Sequence, residues 1–202
     1  MSFQEVRYRP AFGRILAVVT VVVCALGVVA LIVTDPAAAL RYVWPILLVG
    51  VLAWALFWRP ALIVQEHGIT VVNVLRTSFV PWPSITAIDT RYSLTLHTAH
   101  GRVPVWAAPA PGRHRTLGLA PKDFDGVGET ARGEVGELRP NDAVTTPTGN
   151  LAQLIRGRWE RLRDEGAFAS GVDPAASTQT WHWATIATVA ALGAATVVGA
   201  LA

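Results

Sequence analysis

The chain has 202 residues, of which 52% are hydrophobic and 15% charged, a balance too apolar for an ordinary water-soluble domain. Its net charge of +3 does not mark a nucleic-acid binder, because residues 59–178 carry acidic and basic side chains in nearly equal number and so no concentrated basic surface. The single cysteine, Cys24, lies in an apolar run, which excludes a disulfide framework within the chain and leaves Cys24 a packing role.

Ile15 through Val33 are nineteen consecutive uncharged residues. At about 1.5 Å per residue they match a hydrocarbon core of about 30 Å. Arg7, Arg9 and Arg14 precede this run, which puts the N-terminus on the cytoplasmic side. A cleaved secretory signal is the rival reading, with Ala37-Ala38-Ala39 as its cleavage site, but the run exceeds the usual span of roughly 7–15 residues. A turn at Asp35 and Pro36 leads to a second apolar run, 42–58, bracketed by Arg41 and Arg59. Tyr42, Trp44, Trp54 and Trp58 stand toward its ends, and Pro45 falls in its first turn. The pair reads as a transmembrane hairpin over 15–33 and 42–58 that returns the chain to the cytoplasm.

From Arg59 the period changes. Leu62 to Gln65, Ile69 to Leu75, Ser78 to Trp82, Ile85 to Arg91, Ser93 to Thr98 and Arg102 to Trp106 are short β-branched or alternating runs, each closed by turn formers. The alternation puts Leu94 and Leu96 on one face with Thr95 and His97 on the other; Val103 and Val105 point together, and Pro104 argues for an edge strand. Six short strands in under fifty residues predict an antiparallel sandwich or barrel. Residues 107–150, rich in Gly, Pro and acidic side chains, read as one extended loop with a short strand near Arg115 to Leu119. Over 151–165, Leu151, Leu154, Ile155, Trp159 and Leu162 form an apolar stripe; Arg156, Arg158, Glu160, Arg161 and Arg163 cover the rest, Asn150 caps the start and Gly166 the end. A polar linker, 167–183, precedes Ala184 to Ala202, a third apolar run without charge in which Ala187, Ala191, Ala195 and Gly199 recur every four residues as a candidate helix-packing stripe.

Chemistry is not indicated. His97 and His100 straddle a strand end and its turn, with no cysteine or paired carboxylate to complete a metal site. No serine sits in a Gly-x-Ser-x-Gly setting, no phosphate loop ends in lysine, and the acidic residues at 123–142 lack calcium-loop spacing. No catalytic residue, metal or cofactor is therefore expected. Arg76, Arg91 and Arg102, near strand ends beside the cytoplasmic leaflet, are the candidate contacts for a lipid or protein partner.

Arg59-Pro60 leaving a membrane span, Gly68-Ile69-Thr70-Val71 with Asn73, Leu75-Arg76-Thr77, Val80-Pro81-Trp82 with Ile85, and Gly101 with Val103-Pro104-Val105 together resemble the bacterial pleckstrin-homology-like (PH-like) domains of small actinobacterial membrane proteins, similar to the group called low molecular weight protein antigen 6. The resemblance covers 59–106, the helix at 151–165 and the two preceding spans. It implies a curved β-sandwich capped by a C-terminal helix, acting in binding and not in catalysis. The acidic segment at 107–150 and the third span depart from that pattern. The expectation is an α+β membrane protein, multi-pass, with its N-terminus and a PH-like domain over 59–166 in the cytoplasm. Its partners would be the bilayer and another protein, with recognition of an anionic lipid surface, or service as an assembly subunit of a membrane complex, as alternatives; no nucleic acid is expected.

Overall fold

A computed structural model describes residues 5–90, 93–109, 147–168 and 177–201. The expected acidic loop, its short strand at Arg115 to Leu119, and Arg91 lie outside the described residues. In chain order the elements are β1 (Val6–Tyr8), α1 (Ala11–Thr34), α2 (Pro36–Ala53) continued by a π turn (Trp54–Trp58), β2 (Ala61–Val64), β3 (Gly68–Val72), β4 (Arg76–Pro81), a 3-10 turn (Trp82–Ser84), β5 (Ile85–Asp89), β6 (Ser93–Thr98), β7 (Gly101–Pro109), α3 (Pro147–Asp164), β8 (Thr178–Trp181) and α4 (Trp183–Leu201). Two compact units result. One takes β1 to β3, the body of β4, β5 to β7, α3 and the start of β8; the other takes α1, α2, the turn Asn73–Thr77 and the chain from Thr180 through α4.

In the helical unit α1 and α4 both pack on α2, and all three helices are long and apolar enough to cross a membrane. The link between α1 and α2 is one residue: the Asp35 carboxylate accepts from the amides of Ala37 (3.1 Å) and Ala38 (3.0 Å), and Pro36 supplies the pre-set first turn. The second helix therefore starts at residue 36 and not near 42, so Pro45 lies inside it, and Tyr42 and Trp44 lie one to two turns in and not at its end. Pro45 has no N–H for the carbonyl of Arg41. Gly199 of α4 passes against that same carbonyl, where an added Cβ would sit 2.9 Å from the oxygen. Arg41 then reaches the end of α4, its Nε donating to the carbonyl of Gly199 (2.9 Å) and Nη2 to that of Ala200 (3.4 Å), which satisfies two of the terminal acceptors. Thr34, Thr188 and Thr196 return their hydroxyls to carbonyls four residues earlier, so none exposes an unsatisfied donor.

The β-unit is α+β with antiparallel pairing. One sheet has the order β1-β2-β3-β4-β8 and the other β5-β6-β7. Alternation sets the faces. Val6, Val64 and Ile69 form one inward row and Tyr8, Leu62 and Val71 a second, while Arg7, Ile63 and Thr70 share the opposite face. Burial in its row pushes the Tyr8 phenol above the ordinary tyrosine range. Leu94 and Leu96 of β6 and Val103, Val105 and Ala107 of β7 face the same core, as the alternation requires. β1 and β8 were not legible as strands: three and four residues, one in the basic lead and one in the polar linker, are too short to show a period.

Helix α3 packs on β6 and β7 and closes this core. It begins at Pro147, which a first turn favours, so Asn150 lies within the helix and is not its cap. Its exit follows expectation: the amides of Gly166 and Ala167 donate back to the carbonyls of Arg163 (3.0 Å) and Leu162 (2.9 Å). The buried stripe is Leu151, Ala152, Ile155 and Arg156, continued by Trp159 and Leu162. Leu154, expected on that stripe, is 38% exposed, and Arg156, expected in solvent, is buried with Nη2 donating to the carbonyl of Ile88 (3.2 Å) and the hydroxyl of Thr90 (3.4 Å). Two indoles lock turns to the core. Trp82 Nε1 donates to the carbonyls of Gln65 (3.1 Å) and Glu66 (3.0 Å), and Trp159 Nε1 to that of Ile85 (3.2 Å).

Gly68 marks the closest backbone approach in this unit. An added Cβ would lie 2.5 Å from the Val80 carbonyl oxygen and 2.9 Å from the Cα of Pro81. Gly68→Ala is expected to cost about 1–3 kcal/mol through overpacking. A lowered midpoint in a tryptophan-fluorescence melt of the detergent-solubilised chain checks it.

Candidate functional site

Two groups of side chains stand out, one in each unit. In the β-unit, the alternation that buries Val103, Val105 and Ala107 turns Arg102, Pro104 and Trp106 to the other face of β7. The register carries that face across the sheet: Ala87, His97 and Arg102 form one row, Asp89, Thr95 and Pro104 the next. Trp106 follows at 56% exposure, on the strand that forms one edge of this sheet among the described residues. The face combines an indole, a proline, a cation and several hydrogen-bonding side chains, a chemistry suited to holding an extended peptide. Among the described residues no three His, Cys, Asp or Glu side chains converge as metal ligands.

In the helical unit, arginines and tryptophans meet at the end where α1 starts, α2 stops and α4 starts. Arg14 lies over the Trp58 ring at 4.6 Å, Arg59 over Trp54 at 5.5 Å, and Arg76 over Trp181 at 5.8 Å. The amide of Arg59 reaches the Trp54 carbonyl at 3.2 Å, the five-residue spacing that defines the π turn. Its guanidinium also donates from Nη1 to the Thr185 hydroxyl in the first turn of α4. Beside these, His182 holds the turn Asn73–Thr77. Its amide donates to the carbonyl of Leu75 (2.9 Å), and its Nδ1 lies 3.2 Å from the carbonyl of Val74. A carbonyl only accepts, so Nδ1 carries the proton; in the neutral ring Nε2 then accepts from the Thr77 hydroxyl at 2.9 Å.

Arg76 opens β4 and stacks on Trp181; Arg102 is the second residue of β7 in the other sheet, opposite His97; Arg91 lies outside the described residues. On α4, Ala187 and Ala191 are exposed, whereas Ala195 and Gly199 are half-buried, and Gly199 meets Arg41 and Trp44 of α2. Sequence reasoning missed His182 and Thr77, which are 105 residues apart in the chain. No local signal pairs His182 with a threonine so distant.

Comparison with known families agrees with part of the resemblance. Residues 59–141 match the family model described as a bacterial PH domain. The match takes in β2 through β7 and continues to residue 141, so much of the segment that the sequence suggested as an insertion belongs to the matched stretch; it ends before α3. Neither the curated proteins nor the solved structures contain a match. PH domains are in general interaction modules without a catalytic centre.

Thr77→Val removes the donor to His182 Nε2 and is expected to cost about 1 kcal/mol. Faster hydrogen exchange at the His182 amide, with exchange in β6 unchanged, checks it.

Proposed function

We propose that this chain is a multi-pass membrane protein whose PH-like domain is a non-catalytic interaction module at the cytoplasmic face and binds a protein partner. The observation that carries this reading is the outer face of β5-β6-β7, where Trp106 stands exposed beside the rows of Pro104 and Arg102. Tryptophan and arginine are the residues most often dominant in protein interfaces. An extended segment lying across this face would set its side chains against the indole, the proline and the guanidinium. Of the candidate arginines among the described residues, Arg102 is the one this face employs.

The cytoplasmic placement is supported by Arg7, Arg9 and Arg14 ahead of the first span, and three spans then put the end of α4 on the opposite side. The order of strand and turn motifs from Arg59 to Val105 is the ground for placing the domain with the small actinobacterial membrane proteins similar to low molecular weight protein antigen 6. A second reading, an assembly subunit acting through the small face of α4, draws support from one position, the close approach of Gly199 to the Arg41 carbonyl, and that contact lies within the chain.

A photoreactive benzophenone residue in place of Pro104 or Trp106 of the full-length protein is expected to give one discrete adduct in cells, and none in place of Arg161 on α3. Trp106→Ala should lower the adduct from position 104 by about tenfold or more, as for a central aromatic contact. Adducts of equal strength from all three positions, or from none, would reject the β7 face as the binding surface. A reporter fused after Ala202 is expected to be inaccessible from the cytoplasm, and accessibility there would reject the three-span topology.

A further inference from the structure

On the helical unit, the start of α1 and the end of α2 form a shallow, open groove of about 440 Å³ lined by Ala11, Arg14, Ile15, Val18, Val19 and Trp58. Its floor is aliphatic and its rim is a single cation, exposed and held 4.6 Å above the Trp58 ring. Arg14 has no acidic partner among the described residues. Asp35 is the one acidic side chain among the described residues of this unit, and it stands at the far turn, where α1 ends and α2 begins; Arg9 and Arg59 are at the near end with Arg14. Arg14 is also the fourth residue of a helix apolar enough to cross a bilayer. It therefore sits where a span leaves hydrocarbon and anionic headgroups begin.

We infer that this groove binds one anionic phospholipid, with the phosphate on the Arg14 guanidinium and an acyl chain along Ile15, Val18 and Val19. The charge pattern separates this occupant from the others. A partner helix would cover the aliphatic floor and leave the cation buried without a counter-charge, which is costly. A zwitterionic lipid brings its own ammonium into competition for the phosphate. Trp58 fixes the guanidinium over the groove, so the planar cation is oriented before the lipid arrives. The site depends on the three helices spanning a bilayer, and it is separate from the β7 face.

The test uses the full chain in a maltoside detergent, offered equal amounts of phosphatidylglycerol and phosphatidylcholine and analysed by native mass spectrometry. One phosphatidylglycerol should be retained about fivefold over phosphatidylcholine, the ratio that one interfacial cation supplies. Arg14→Gln should bring that ratio to one, Arg14→Lys should keep most of it, and Val18→Trp, which fills the groove and leaves the cation, should release the bound lipid. Equal retention of the two lipids by the wild type, an unchanged preference in Arg14→Gln, or displacement of the lipid by inorganic phosphate would overturn the site. Alkaline carbonate extraction separates the two levels of failure: release of the chain from membranes would overturn the spanning reading together with the site, whereas a chain that stays in the membrane without lipid preference defeats the site alone.

Discussion

The contact between His182 and the turn Asn73–Thr77 sets the conditions for much of what surrounds it. Three bonds from one residue, an amide and two ring nitrogens, fix a hairpin tip against the start of α4. The same turn contributes the first residues of β4, and the same stretch ends β8, so a sheet tip and a helix start share one set of hydrogen bonds. Arg76 then has Trp181 beneath it and Arg59 has Thr185 within reach. The turn containing Arg76, a residue offered by the sequence as a candidate contact, is thus held by the chain itself. On the β-unit the exposed indole of Trp106 lies in the β5-β6-β7 sheet, and the candidate surface is set there and not at Arg76.

Where a period repeats over enough residues, the fold was legible. β6 alternates Leu94 and Leu96 against Thr95 and His97, and the burial follows that alternation; the apolar runs likewise announced three long helices. Local signals failed where a distant partner decides the outcome. Arg156 reads as surface because arginine usually is, yet the carbonyl of Ile88 and the hydroxyl of Thr90 make a buried place for it, and the stripe on α3 rotates away from Leu154 as a result. Pro45 reads as a helix start because an interior proline is costly; the true start is earlier, at a capping Asp35 followed by Pro36. β1 is invisible in isolation, since Val6 and Tyr8 show alternation only when paired with β2. The candidate surface was legible only in part: the alternation of Val103 and Val105 sets Pro104 and Trp106 on the other face, but nothing local shows which neighbouring rows complete it.

The positive charge of the chain is also put to several uses that composition conceals. Arg41 completes the end of a helix, Arg14, Arg59 and Arg76 lie over indole rings, and Arg156 is a hydrogen-bond donor inside the β-unit. Sixteen of the seventeen Lys and Arg residues are arginine, with Lys122 the exception. A planar, weakly hydrated guanidinium can stack on an indole and donate in a fork, and an ammonium does neither well. At these five positions the geometry favours a guanidinium before any external ligand is invoked.

His182 grips the turn through the carbonyl oxygens of Val74 and Leu75, and those oxygens are common to every amino acid. The contact is therefore blind to which side chains occupy positions 74 and 75, and Leu75 is itself half exposed. Only position 77 must supply a hydroxyl. Drift in a lineage is then free at the turn's tip and constrained at two points, 77 and 182, which would have to change together; a hairpin built this way can alter its exposed chemistry without loosening its attachment.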